Sequence, residues 1–62
     1  MIAKKTLEKL VKEGYKLRHQ AIPIVQTIRD VYVKDAGLFE TYYTRVGNDE
    51  FEFLGMLRKG AW

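Results

Sequence analysis

The stretch LEKLVKEGYKLRHQAIP, residues 7–23, decides how much of this 62-residue chain is helix. Leu7, Leu10, Val11, Gly14, Leu17 and Ala21 recur at steps of three and four, the period of an amphipathic helix. At about 100° per residue they fill one stripe, and Lys5, Lys9, Lys12 and Lys16 fall nearly opposite it. The spacing predicts one helix over about residues 4–22, stopped before Pro23, whose ring disfavours helical backbone at Ile22. Gly14 is the awkward residue, costing about 1 kcal/mol against alanine in a helix interior. On the one-helix reading it lies in the apolar stripe and permits close packing. On the alternative it ends a shorter helix, and a second starts at Tyr15. The single helix is the favoured expectation.

Beyond Pro23 the texture changes. IVQTIRDVYVK is rich in β-branched residues, LFETYYTRV alternates imperfectly with aromatics, and EFEFLGML opens with strict alternation. DAG at 35–37 and GND at 47–49 separate these runs with residues that tolerate turn geometry. The pattern predicts strands over about 25–34, 38–46 and 50–58. Ile24, Val25, Ile28 and Val31 also fit a helical period, but strand is favoured for the first run. The expected fold is therefore α+β, a single small domain over residues 1–62. In it, an N-terminal amphipathic helix packs on a three-stranded antiparallel meander (α-β-β-β).

Alternation assigns the faces of that sheet. Phe51, Phe53 and Leu57 should face the helix with Phe39, Tyr43, Val31, Val33 and Gly55. Tyr32, Tyr42, Val46, Leu54 and Met56 should share the other face with Leu38. One helix would leave that second face in water. An apolar patch of this kind, rimmed by Glu40, Glu50, Glu52 and Arg58, marks an interface more often than an accident. A slip of one residue in register would exchange the two faces.

Composition narrows the function. A chain this short buries only about 60% of its unfolded surface, and chains of this size commonly lean on a staple or a partner. There is no cysteine, so neither a disulfide nor a thiolate metal ligand is available, and the single histidine makes no zinc site alone. Serine is absent too, which removes the commonest remaining covalent nucleophile. His19 sits in RHQ with no carboxylate to orient its ring, and reads as an exposed residue near a helix C-terminus. Asp49, Glu50 and Glu52 lack the ligand spacing and central glycine of a calcium loop. No stretch forms a phosphate-binding glycine loop. The expectation is no enzyme, no cofactor, no metal and no catalytic residue. No apolar run approaches the roughly 20 residues of a membrane helix, and none comes after the N-terminal lysines as in a signal peptide, so a cytoplasmic protein is expected.

Charge is unevenly spread. Residues 1–20 hold six Lys/Arg against two Glu, whereas residues 21–62 hold five Lys/Arg against six Asp/Glu. Glu8 with Lys12 and Lys9 with Glu13 are candidate i,i+4 pairs on the helix. The excess lysine suits either a solvated face, an acidic protein partner or nucleic-acid phosphates. The favoured reading is a small non-enzymatic protein-binding module. Such a module would act as a regulator or inhibitor, covering a surface on a larger partner protein, alone or as a homodimer. Its contact residues would be Tyr32, Tyr42, Leu54 and Met56. The alternative is a sequence-tolerant nucleic-acid binder using Lys5, Lys9, Lys12 and Lys16, because lysine supplies point charge without the geometry for base reading.

Overall fold

In the computed structural model, which describes residues 4–62, the helix stops at Gly14. Helix α1 spans Leu7–Glu13. It starts at Thr6, whose hydroxyl accepts from the Lys9 N–H, and the Leu7 N–H donates to Asp49 Oδ1 at 2.9 Å. It ends because Gly14 takes a left-handed backbone (φ 99°). There the Gly14 N–H reaches Val11 O and the Tyr15 N–H reaches Leu10 O. This is the Schellman arrangement, completed by apolar packing of Tyr15 on Leu10.

Past Gly14 the chain runs into a strand, not a second helix. The sheet contains β1 (Lys16–Ile24), β2 (Thr27–Ala36), β3 (Phe39–Gly47) and β4 (Glu50–Arg58), all antiparallel in the order β1-β2-β3-β4. The α+β class stands, but the three-stranded α-β-β-β expectation is overturned, as is the helix over 4–22. Residues 16–24 form an additional edge strand, where Pro23 is tolerated because one side of the backbone needs no partner. The turn that creates it is Val25–Gln26, with both residues at positive φ (47° and 65°), the pattern of a two-residue I′ hairpin. Asn-Gly is the usual signal for such a turn, and a β-branched valine conceals it. The later turns fall where the sequence placed them, at Gly37 (φ 73°) and Asp49 (φ 59°).

Two small cores lie on opposite faces of the sheet. On one, α1 sets Leu10 against Phe51 and Tyr15, flanked by Leu7, Tyr32 and Tyr43. On the other, Val31, Val33 and Tyr42 pack with Ile22 and Ile24 of β1. β1 reaches over this second face because its register breaks between Leu17 and His19 and again between His19 and Ile22. Ala21, inside the second break, is left-handed (φ 53°), with its N–H on Asp30 Oδ1 at 3.0 Å. Trp62, in the C-terminal tail after β4, stacks on Tyr42 and His19 with ring centroids 5.1 and 4.7 Å away.

The expected faces are therefore redistributed. Tyr32 lies opposite Tyr43 on the helix side, and Val33 opposite Tyr42 on the tail side, so Val31 and Val33 do not face the helix. In β4 the register shifts at Leu54, because Tyr43 pairs with Phe53 but Tyr42 with Gly55. Phe53, before the extra residue, stays on the helix side as expected, whereas Met56 is moved to the helix side and Leu57, opposite Glu40, to the tail side.

Candidate binding surface

The four residues expected to form one contact surface are divided by the fold. Tyr32 is half-buried on the helix side, its ring edge-on to Phe51 at 5.3 Å. Tyr42 is only 1% exposed, beneath Trp62 on the opposite face. Leu54 and Met56 alone reach the surface, both on β4. Two further β4 residues join them, Phe53 and Leu57, which the alternation had assigned to the core. Phe53 and Met56 are 52% and 53% exposed. The signal in the sequence was EFEFLGML itself, read with an irregularity at Leu54-Gly55 in place of unbroken alternation.

This apolar row lies on an edge strand. Lys5 pairs with Phe51 through two backbone hydrogen bonds of 2.8 Å, Lys5 N–H to Phe51 O and Phe51 N–H to Lys5 O. Among the described residues, none pairs with the outer edge of β4 beyond that point. Glu50 bonds to Lys4 at 3.1 Å, while Glu52 and Arg58 have no ion-pair partner among the described residues.

The lysine ridge is likewise broken up by the early helix stop. Lys5 precedes α1 and is half-buried, its Nζ 2.6 Å from Glu13 Oε1 and 5.0 Å from the Tyr43 ring centroid. The hydrogen bond to Glu13 raises the Lys5 pKa above its ordinary value against desolvation, and the same bond lowers that of Glu13. Lys9 and Lys12 remain exposed on α1, and Lys16 is exposed on β1. Glu13 bonds to Lys5, not to Lys9.

A polar clamp holds Trp62 on the tail side. The buried Glu40 carboxylate accepts from Arg18 Nη2 at 2.5 Å, from the Tyr42 hydroxyl at 3.1 Å and from the Gly60 N–H at 3.5 Å. Arg18 Nη1 also donates to Trp62 O at 2.9 Å. Desolvation pushes the Glu40 pKa up, but the bonds from Tyr42, Gly60 and Arg18, with the Arg18 charge, outweigh it and hold the carboxyl below its usual value. Burial, and then the bond to Glu40, raises the Tyr42 hydroxyl. His19, expected to be exposed at a helix end, is half-buried in β1, with Nε2 buried and without a hydrogen-bond partner among the described residues.

Beside the clamp a groove of about 420 Å³ runs between Lys16, Leu17, Arg18, Lys34 and Asp35. Its charges are mixed, and Arg18 is already engaged by Glu40. Among the described residues, no three His, Asp or Glu side chains converge as a metal site would require, and no helix is long and apolar enough to cross a membrane. No family model, curated protein or solved structure matches this chain.

Proposed function

We propose that this chain is a small non-enzymatic protein-binding module whose contact surface is the outer part of β4. The observation that carries this reading is the row Phe53, Leu54, Met56 and Leu57, exposed on an edge strand with no described neighbour past Phe51. An edge of this kind offers main-chain hydrogen bonds for affinity and apolar side chains for specificity. Aromatic and methionine side chains are the types enriched where protein surfaces meet. A chain this small acts by covering what it touches, which is how a regulator or inhibitor works without catalysis.

A photoreactive residue placed at Met56 tests the reading, with the same residue at Gln20 on the far edge as control. Discrete protein adducts from position 56, absent from position 20 and suppressed by excess unlabelled chain, are expected. Adducts equal at both positions, or adducts to nucleic acid alone, would overturn it.

A further inference from the structure

The end of the sheet away from the Lys5–Phe51 bridge sorts its charges by face. Register places Lys34, Thr41 and Met56 in one row on the helix side, and Ala36, Phe39 and Arg58 in the next. Asp35, Glu40 and Leu57 form the row between them, which points to the tail side. Both acids of these three rows therefore face the tail side, where Asp35 bonds to Lys59 and Glu40 to Arg18. On the helix side, Lys34 and Arg58 have no ion pair among the described residues, and Phe39 and Met56 stand exposed between them. The patch continues around the β2–β3 turn as a groove of about 550 Å³ lined by Gly37, the exposed Leu38, Arg58 and Lys59. On the same side of the sheet α1 adds Lys9 and Lys12, both exposed and without an ion pair among the described residues. Of the two acids on α1, Glu13 is bonded to Lys5, which leaves Glu8 alone against them.

We infer that the partner of this surface is an acidic protein segment that also carries apolar side chains, seated on the helix-side face between Lys34 and Arg58. The inference rests on the reading of β4 as the contact strand and names the chemistry of what it contacts. Charge complementarity selects this partner. Its carboxylates meet Lys34 and Arg58 at opposite corners of the patch, while its apolar side chains cover Phe39 and Met56. Arg58 offers the planar fork that holds a carboxylate through two hydrogen bonds. Met56 is the unbranched, polarizable side chain that adapts to an irregular apolar surface. A single-stranded nucleic acid fits less well, because it needs successive exposed rings along a continuous basic track. Here Thr41 and Met56 separate Phe39 from Phe53, and each of the two rows carries a single cation. These side chains stand on the face of the sheet, so the site does not depend on what lies along the outer edge of β4.

Fluorescence anisotropy of a labelled peptide of alternating glutamate and leucine tests the inference on the purified full chain. A labelled peptide of alternating lysine and leucine and a labelled oligothymidylate are the competing probes, and circular dichroism confirms that each variant is folded. The glutamate–leucine peptide is expected to bind, less tightly as salt rises, and the lysine–leucine peptide about tenfold more weakly or not at all. Lys34→Glu and Arg58→Glu should each weaken binding of the acidic peptide by about tenfold, and Lys34→Gln and Arg58→Gln by less. Lys16→Glu, opposite Val33 on the tail side, should leave it unchanged. Equal binding of the two peptides overturns the inference, as does tighter binding of oligothymidylate. So do Lys34 and Arg58 variants that lose no more than Lys16→Glu, or no binding of the acidic peptide at about 1 mM. If any of these is found while protein adducts still form from position 56, the acidic partner alone is lost. If no adducts form there either, the contact surface goes with it.

Discussion

On the helix side of the sheet, Phe51 is sealed by Leu10 and Tyr15, by the Lys5–Phe51 backbone bridge and by the Arg45 guanidinium 4.9 Å from its ring centroid. On the tail side, Tyr42 is sealed by Trp62, which is held through Arg18 and Glu40 and still 39% exposed. The first closure combines a capped helix, main-chain pairing and fully buried side chains. The second places an indole over a ring and fixes it with charged hydrogen bonds. A 62-residue chain that divides its apolar residues between two faces has little redundancy on either. The difference teaches which face the fold depends on.

Truncation at each centre gives the largest expected contrast. Phe51→Ala should cost about 3–5 kcal/mol, the range for deleting a buried aromatic, and so leave a domain of this size largely unfolded. Trp62→Ala removes a partly exposed ring and should cost about 1–2 kcal/mol, leaving a cooperative transition at lower urea. Urea unfolding monitored by far-ultraviolet circular dichroism measures both. Equal losses, or a larger loss at Trp62, would mean that the tail side is the true core.

The same contrast explains what could be read from the sequence. The helix-side face was partly legible: the α1 stripe of Leu7 and Leu10, the aromatic β3 and β4, and the turns at Gly37 and Asp49 obey ordinary patterns. Even the helix stop had its signal, since Gly14 stands between the apolar Leu10 and Tyr15 that a Schellman motif requires. The tail-side face was not legible. Leu17 and Ala21 continue the helical period by coincidence, and the hairpin that makes β1 turns at Val25–Gln26, where propensity argues for strand. Leu54 then shifts the alternation of β4, which moves Met56 to the helix side and Leu57 to the tail side and breaks the expected contact set. Tertiary packing of Ile22 and Ile24 on Val31, Val33 and Tyr42 overrides these local preferences.

That override has a measurable consequence for the tail side. Val25 is 89% exposed and left-handed, so it gains little burial in return for an unfavourable backbone. Thr27 Oγ1 braces the turn by donating to Ile24 O at 2.7 Å and accepting from Arg29 Nε at 2.7 Å. Replacing the turn with Val25→Asn/Gln26→Gly keeps the hairpin geometry with residues that accept positive φ. Stability should rise by about 1 kcal/mol, or roughly 4–8 °C in Tm for a domain of this size. A loss on calorimetry would show that the strained turn is not the geometry β1 uses to reach Ile22 and Ile24.

Acid should loosen the tail side through Glu40. Its carboxyl lies below the ordinary value in the fold, so the stabilisation is fully present above the unfolded pKa of about 4.3 and is lost as pH falls through the lower folded pKa. Protonation removes the charge that Arg18 pairs with, and Arg18 is also the donor to Trp62 O. Trp62 is the only tryptophan in the chain, so its fluorescence reports release of this face directly. Its emission should shift to the red as pH falls through the depressed folded pKa of Glu40, as the indole leaves Tyr42 for water. Glu13 is held low by Lys5 on the helix side and contributes its own acid sensitivity, but it does not touch the indole. Glu40→Gln retains an acceptor for Tyr42 and cannot titrate, so it should already show a partly released Trp62 at neutral pH and lose most of the acid shift. If the Glu40→Gln chain keeps the full acid shift, the clamp is not what holds Trp62, and stacking on Tyr42 and His19 holds it alone.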